Sequence, residues 1–277
     1  AEIIKHQTHI PDDEMSEEAK KIKPGNSNKN IYDIIKKSSL NEEEEYKLFK
    51  YINKKNMIFL STPFSRLAVD RLIKFGVKAF KIGSGEMNNY PLMDYILKFK
   101  KPLIVSTGMH SLKNVKNFAS FLKGKKIKFA LMHTTNLYPT PNKLVRLNSI
   151  SELIKTFPNQ VVGLSDHTET NYSSFGAITL GACIIEKHFV DKKTRSGPDI
   201  SSSVDEKELK ELIKGCNIIY LQRGGKKNLL KEEQVTRNFA FASVVSIKNI
   251  TKGEKLTKNN IWIKRPGTGY FKAVDYN

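Results

Sequence analysis

Polar and ionisable side chains follow a series of short apolar runs, at the point where each run ends. The run VVGL (161–164) is followed by SDHT, and the run CII (183–185) is followed by EKH. His167 and His188 therefore end neighbouring runs. Imidazole nitrogens together with oxygen ligands suit Mn²⁺, Zn²⁺ or Fe²⁺ better than Mg²⁺. The pair is a candidate divalent-metal site, with hydrogen-bonded structural histidines as the alternative.

The other runs end in groups that suit an anion. Lys5 and Lys81 supply ammonium groups, and further runs supply hydroxyl and amide groups at Thr62, Ser84, Ser106, Asn136 and Ser165. Such a set suits a small phosphorylated carboxylate. The glycines on both sides of Ser84 would let backbone amides approach an anion closely. A Schiff base on Lys81, as in lysine-dependent aldolases, is the alternative chemistry.

Three more residues at these ends have an open assignment. Gln7 lies in HQTH (6–9), whose two histidines we interpret as structural strand residues. His133 is either a third metal ligand or, as we favour, a hydrogen-bonded barrel histidine. Asp199 follows a proline that would stiffen its loop, which could hold the carboxylate over the same site; a plain turn is the alternative.

The elements that must position these groups follow from the apolar pattern. Seven runs predict strands, at residues 1–9, 57–64, 79–86, 102–109, 128–136, 161–168 and 183–189. Because the runs are continuously apolar rather than alternating, they are typical of strands buried on both faces of a parallel sheet. Helix-length segments separate most of them, at 65–76, 111–124, 150–159 and 171–182, with Gly76 as a C-cap and Asn41 as the N-cap of a further helix. Units of this length close as a (β/α)₈ TIM barrel, whose active site lies at the carboxyl ends of the strands.

The predicted barrel is one unit short, and the chain opens inside a strand without a methionine. We therefore expect a fragment, an α/β TIM barrel that lacks its first βα unit, over residues 1–222. A polar linker is expected at 223–238. Short β-like runs separated by Lys-Gly then predict a small, incomplete β-rich domain at 239–277.

The composition disfavours several classes of function. The chain of 277 residues has 47 Lys and Arg against 28 Asp and Glu, a net charge of +19, but the lysines are spread along the whole chain. Since no zinc-finger spacing, RNP-like strand or basic arm accompanies this charge, we predict no nucleic-acid partner. The apolar runs are too short to span a membrane. Neither cysteine has a metal or redox spacing, which predicts a reduced, cytoplasmic protein.

Short motifs spread over essentially the whole chain form a specific set, although each is weak alone: KHQTH, DEMSEEA, PGN, YDIIKK, FLSTPFS, KIGSGEMNNYPL, VSTGM, HTTNLYPTP, VGLSDHT, EKHF, GPDIS, RGGKK, FAFASVV and WIKRPGTG. In this order they resemble the bacterial N-acetylneuraminate (sialic acid) synthase family. The resemblance implies condensation of phosphoenolpyruvate with N-acetylmannosamine and water, giving N-acetylneuraminate and phosphate. It implies a divalent metal, typically Mn²⁺. It also implies a TIM barrel with a C-terminal antifreeze-like (SAF) domain, in a domain-swapped homodimer where that domain covers the partner's active site.

The resemblance also implies roles for residues, by position in the motifs. His167 and His188 match the metal ligands. The phosphoenolpyruvate contacts correspond to Lys5, Thr62, Lys81, Ser84, Ser106, Asn136 and Ser165. The acceptor-sugar contacts correspond to Gln7, Asn26, Tyr138 and Asp199, with Phe239 or Phe241 from the small domain. Glu86 matches an active-site acid and joins Lys5 and Lys81 as a catalytic candidate, its role open between activating water and positioning.

The match departs from the family at both ends. The family's first strand carries a glutamate thought to act in proton transfer, and its SAF domain carries an arginine that contacts the N-acetyl group. Neither segment is found here, which agrees with the expectation of a fragment. Legionaminic or pseudaminic acid synthesis from a diacetamido-deoxyhexose is the nearest alternative, and a non-catalytic sugar-binding protein is another. Synthases for phosphorylated aldoses are disfavoured by the C-terminal domain.

Overall fold

Parallel strands separated by helices build the first part of the molecule. This computed structural model describes residues 1–24, 28–197 and 199–276, and within them eight strands form one sheet in the order of the sequence. The strands are β1 (Ile3–Thr8), β2 (Ile58–Pro63), β3 (Phe80–Ile82), β4 (Leu103–Ser106), β5 (Phe129–Thr134), β6 (Val161–Asp166), β7 (Ile184–Phe189) and β8 (Ser203–Val204). Each strand pairs in parallel with the next. The fold class is α/β, and the sheet is consistent with the predicted TIM barrel.

The last strand of this sheet was not predicted. The sequence pattern indicates seven strands, whereas β8 adds an eighth, in which Ser203 pairs with His188 and Val204 with Phe189. Its two residues lie in the polar segment ISSSVD, which is too short to show an apolar run. Strands β1 and β8 stand at the two ends of the strand order.

Burial differs along the sheet. Strands β3 and β5 are buried at every position, and β2 and β6 at every position but the first. Strands β1 and β7 are half-exposed over most of their length. Phe59, Phe80, Leu131 and Leu164 are among the apolar side chains that join the helix-facing residues in one hydrophobic core. The prediction of strands buried on both faces therefore holds best for the middle of the sheet.

Helices occupy the segments between the strands. In the described residues they are α1 (Pro11–Glu14), α2 (Ile31–Ser38), α3 (Glu42–Lys54), α4 (Arg66–Phe75), α5 (Tyr90–Leu97), α6 (Leu112–Gly124), α7 (Asn148–Thr156), α8 (Tyr172–Thr179), α9 (Glu206–Gln222) and α10 (Gln234–Ala240). Asn41 caps α3 through a reciprocal bond with Glu44, as the pattern predicts. Gly76 ends α4 in the left-handed conformation with φ 81°, also as predicted.

The chain divides into two units, Ala1–Arg223 and Gly224–Asn277. In the second unit β9 (Ser243–Ser246) pairs antiparallel with β10 (Ile261–Lys264). Helix α10 covers Gln234–Ala240, so the segment predicted as a polar linker at 223–238 is partly helical. The helix escapes prediction because QVTRNFA is short and its polar residues hide any apolar face.

Within the described ranges, no helix combines the length and apolar character needed to cross a bilayer.

Candidate active site

The carboxylate of Glu186 on β7 lies between two lysines from other strands. Lys5 Nζ on β1 is 3.2 Å from Glu186 Oε1, and Lys81 Nζ on β3 is 3.6 Å from Oε2. Ser165 on β6 donates a hydrogen bond of 2.9 Å to Oε1. Strands β1, β3 and β7 are not neighbours in the sheet. Their side chains meet only because the sheet curls, as a barrel requires.

The charges in this cluster counteract the effect of burial on the pKa of Glu186. Burial alone would raise the pKa of Glu186, but the charges of Lys81 and Lys5 outweigh it and lower the pKa to about 2. Burial lowers the pKa of Lys81 to about 8, with Glu186 acting against the shift and Lys5 adding to it. Lys81 Nζ also donates to Ser106 Oγ at 2.5 Å. The cluster therefore holds an ionised carboxylate between a buried cation, Lys81, and a half-buried one, Lys5.

The other predicted anion-binding residues form a chain of contacts beside this cluster. The backbone N–H of Gly108 donates to Ser84 Oγ at 3.1 Å. A Cβ on Gly108 would lie 1.8 Å from Asn136 Oδ1 and 2.9 Å from Ser84 Oγ, so only glycine allows this approach. Thr62 is buried, and its Cγ2 is 3.7 Å from the position of a Cβ on Gly83. Asn136 Oδ1 is buried with no hydrogen-bond partner among the described atoms, as expected of a group that awaits a ligand.

The two candidate metal-binding histidines face each other. Their ring centroids are 5.4 Å apart at an interplanar angle of 61°. The Tyr138 ring stacks on His167 at 4.2 Å and meets His188 edge-on at 5.9 Å. His167 Nδ1 donates to the Thr135 carbonyl at 2.9 Å, which fixes the tautomer and leaves Nε2 with a lone pair. Burial lowers the pKa of both imidazoles, that of His188 to about 3, so both are neutral at pH 7.

These features fit a divalent ion, because both imidazoles are neutral and the second nitrogen of His167 is fixed by a hydrogen bond. Within residues 1–24, 28–197 and 199–276, no group of three or more His, Cys, Asp or Glu side chains gathers in metal-binding geometry. An ion at the histidine pair would therefore need oxygen ligands from water or substrate.

The residues predicted to contact the sugar differ in their surroundings. Asp199 Oδ2 lies 4.0 Å from His188 Nδ1, and burial raises its pKa against the opposing charge of Lys5. Burial, helped by Asp199 and Glu186, raises the pKa of Tyr138 to about 12. Gln7 is exposed on β1 and pairs in register with Thr62. Asn26 lies outside the described residues. Phe239 and Phe241 belong to the second unit, where both are exposed.

Glu86 follows β3 in a short 3₁₀ turn, Gly85–Asn88. Its Oε2 accepts a hydrogen bond of 2.8 Å from Asn89, whose side chain caps α5. Burial raises the pKa of Glu86, and nearby Glu14 raises it further against the Asn89 bond. The contacts of Glu86 thus differ from those of the Lys5–Lys81 pair with which it was grouped as catalytic.

The remaining histidines have structural contacts, which agrees with the favoured interpretation. His133 Nε2 donates to the Val145 carbonyl at 2.7 Å, so it is engaged by backbone. His9 stacks on Phe64 with a centroid distance of 4.3 Å and bonds Glu14 at 2.8 Å. His6 is half-buried with Nε2 3.6 Å from Glu45 Oε1, and burial lowers its pKa to about 4.

Comparison with known proteins identifies the family. The NeuB family profile matches residues 1–228. The chain belongs to the NeuB family.

Alignments with similar proteins cover most of the chain. The N,N'-diacetyllegionaminic acid synthase of Campylobacter jejuni is 36% identical over 277 residues, 97% of this chain and 83% of that protein. The human N-acetylneuraminate-9-phosphate synthase is 31% identical over 218 residues, 78% of this chain and 61% of that protein. The N-acetylneuraminic acid (sialic acid) synthetase structure from Leptospira borgpetersenii, in complex with citrate, has a TM-score of 0.76 and 28% identity, covering 85% of this chain and 79% of that one.

Sequence reasoning did not assign a role to Glu186, which the structure places at the centre of the candidate site, in contact with Lys5, Lys81 and Ser165. A signal for it was available. Glu186 is two residues before His188 on one strand, so the two side chains share a face. Register pairing sets Glu186 opposite Ser165, two residues before His167. Two polar pairs in matching positions on adjacent strands indicate one site with two kinds of ligand.

Proposed function

We propose that this chain carries the site of a phosphoenolpyruvate-dependent sugar-acid synthase. The reaction joins phosphoenolpyruvate to the aldehyde of an N-acetylated hexosamine, with water, and releases phosphate. One observation carries the proposal: the Lys5–Glu186–Lys81 cluster adjoins the His167–His188 pair. Glu186 and His188 lie on the same strand, β7, and Ser165, which bonds Glu186, lies two residues before His167. A cationic pocket beside two neutral imidazoles suits an anionic enol ester next to a carbonyl compound that a divalent ion, held by the imidazoles, would polarise.

The lysines would neutralise the anion. Both ammonium groups contact Glu186, so phosphoenolpyruvate would share or replace that partner. The hydroxyls of Ser106 and Ser165 already bond members of the cluster and would orient the phosphate and carboxylate. The contribution of these residues is positioning and electrostatic stabilisation.

The bonds that change can be written in balance. The enol carbon of phosphoenolpyruvate forms a carbon–carbon bond to the aldehyde carbon, and the aldehyde oxygen gains a proton. Water adds to the carbon that bears phosphate, and one of its protons balances the proton gained by the aldehyde oxygen. The added hydroxyl oxygen then forms the keto C=O bond as the carbon–oxygen bond to phosphate breaks, and its proton leaves with the phosphate. Glu186 is ionised and can accept but not donate a proton. Glu86, whose pKa is raised by burial, is the better proton donor, and its role stays open between acting on water and positioning.

His167 and His188 would hold the divalent ion, with Mn²⁺ as the proposed metal. The ion supplies Lewis acidity for the aldehyde when it is bound. Tyr138 packs against both rings and would shield this side of the site from water. Asp199, Gln7 and Asn26 are the proposed contacts of the sugar.

Two acceptors are in question. The sequence motifs favour N-acetylmannosamine, which would make the protein an N-acetylneuraminate synthase. A diacetamido-deoxyhexose is favoured by the relatives named for N,N'-diacetyllegionaminic acid, which are 36% and 34% identical over 97% of the chain. The relative named for N-acetylneuraminate 9-phosphate is 31% identical over 78%. The chemistry at the cluster is the same for both sugars.

Phosphate release from phosphoenolpyruvate tests the proposal. The protein is incubated with Mn²⁺ and either N-acetylmannosamine or the diacetamido sugars, with and without chelator. Release with one sugar class identifies the acceptor, and we expect His188→Ala to abolish it at low Mn²⁺. No release with any sugar, or near-parental activity of His188→Ala, would contradict the proposal and favour a non-catalytic sugar-binding protein.

Three further properties are proposed from the resemblance and the sequence. We propose that the division into a barrel at 1–222, a connecting segment at 223–238 and a partial antifreeze-like domain at 239–277 describes the chain. We propose a homodimer, which light scattering on the purified protein tests directly. We also propose a cytoplasmic location, since neither cysteine has a disulfide or metal spacing.

A further inference from the structure

A buried ion pair links the two strands that carry the histidines, on the opposite face from the imidazoles. Asp166 immediately precedes His167, and Lys187 immediately precedes His188. Lys187 Nζ lies 3.3 Å from Asp166 Oδ2, and the two side chains are 2% and 1% exposed. Because side chains alternate along a strand, this pair faces away from the site while both imidazoles face into it.

Both partners also hold the backbone that follows His167. Asp166 Oδ1 accepts hydrogen bonds of 2.8 Å from the N–H and the hydroxyl of Thr168. Lys187 Nζ donates to the carbonyl of Thr168 and, at 3.1 Å, to that of Thr170. Thr168 is therefore held through its amide by one partner and through its carbonyl by the other. His167 lies between two residues whose positions are fixed from both strands.

The strands are held close at their other end as well. A Cβ on Gly163 would lie 2.5 Å from the carbonyl oxygen of Ile184, its register partner. On the inner face, Ser165 donates to Glu186 at 2.9 Å. The spacing of β6 and β7 is thus set at successive positions, and the Asp166–Lys187 pair is the last of them before the imidazoles.

We propose that Asp166 and Lys187 are positioning residues that set the separation of His167 and His188 and thereby the affinity of the site for its divalent ion. The proposal rests on the metal site proposed above. Because both side chains lie on the opposite face from the imidazoles, neither would contact the ion or the substrate. Their effect is exerted through Thr168 and through the two peptide bonds that join them to the histidines. Partners of this kind behind a ligand typically change metal affinity by about 10–100-fold when they are removed.

Titration calorimetry with Mn²⁺ alone, on untagged protein, tests the inference together with thermal unfolding of the metal-free protein. We expect Lys187→Met to weaken Mn²⁺ binding by roughly 10–100-fold. The matched control is Arg71→Met, which removes the cation from another buried pair, 3.1 Å from Glu45, with side-chain exposures of 13% and 1%. Both variants should lose thermal stability, since each leaves a buried carboxylate without its partner. Only the Lys187 variant should lose affinity.

The double variant Asp166→Asn/Lys187→Met covers the case in which the single change prevents folding, because it leaves no unpaired charge. It should fold and still bind Mn²⁺ more weakly than the parent. Parental affinity in either folded variant, or equal losses in the Arg71 control, would overturn the inference. So would failure of both variants to fold, since the pair would then serve the fold as a whole.

Mn²⁺ binding by the unsubstituted protein distinguishes failure of the proposed metal site from failure of the positioning role alone. If the unsubstituted protein binds no Mn²⁺, or if His188→Ala binds Mn²⁺ as tightly as it does, both the metal site and the positioning role are contradicted. If it binds Mn²⁺ through His188 but Lys187→Met binds equally well, only the positioning role falls.

Discussion

At the scale of single residues, the site depends on one carboxylate that holds two cations. Glu186 is in contact with Lys5 and Lys81, and it keeps its charge despite burial because both lysines favour the ionised form. Lys81 in turn keeps its charge up to about pH 8. Each titration should therefore be visible in a different pH range.

Anion binding should follow the charge of Lys81. Because burial lowers its pKa to about 8, about a tenth of the protein carries this charge at pH 9. We expect phosphoenolpyruvate to bind roughly tenfold more weakly at pH 9 than at pH 7, measured by calorimetry. Lys81→Arg, which stays charged, should flatten this dependence. An equal pH dependence in both proteins would exclude Lys81 as its cause.

Acid stability should follow Glu186. Its pKa in the folded protein is about 2 against an ordinary value of 4.5, so its contribution to stability is full above 4.5 and is lost as the pH falls toward 2. Urea midpoints across this window should fall less steeply for Glu186→Gln than for the parent. Glu43→Gln, which changes an exposed pair with Lys47, is the control and should follow the parent. Identical slopes in all proteins would contradict the assignment.

At the scale of elements, short-range chemistry explains where helices begin and end. The Asn41–Glu44 capping box opens α3, and Gly76 closes α4. Strand pairing depends on more distant groups. Gly163 on β6 is in place because the carbonyl of Ile184 on β7 approaches too closely for any side chain.

Gly163→Ala tests this close approach. The added methyl group would lie 2.5 Å from Ile184 O and 2.6 Å from Met132 Sδ, and overpacking of this kind costs about 1–3 kcal/mol of unfolding free energy. The matched control is Gly124→Ala in α6, where a Cβ meets nothing within 4 Å. The control should be neutral or slightly stabilising. Chemical unfolding measures both, and equal effects would show that the β6–β7 spacing adapts freely.

At the scale of the whole molecule, the two units differ in how much apolar surface they bury. The buried hydrophobic residues of the described chain run from Tyr32 to Leu212, all within the first unit. The described part of the second unit has partly exposed strands, with Trp262 and Val244 among its apolar residues. Little burial implies a low free energy of local opening.

Hydrogen exchange should show this difference. We expect amides of β9 and β10 to exchange much faster than those of β5, which is buried throughout. The comparison is made by mass spectrometry at two protein concentrations. Protection of β9 and β10 equal to that of β5 at low concentration would contradict the prediction. Protection that rises with concentration would support self-association through this unit.

The sequence by itself determined the features that arise from neighbouring residues. Apolar runs located seven strands and capping residues located helix ends, and the polar groups after the runs predicted a site. Strand β8 and helix α10 were missed, because a two-residue polar strand and a seven-residue helix carry no usable periodicity.

Only the tertiary structure decided which of these groups meet. Lys5 and Glu186 are 181 positions apart, and their contact exists because the sheet curls until β1 and β7 approach each other. The side chain of Glu86, which was grouped with these lysines, accepts a hydrogen bond from Asn89. The Asp166–Lys187 pair depends on the register of β6 and β7. Local patterns report burial and capping, which act over a few residues, whereas pairing of charges depends on distances that only the folded chain defines.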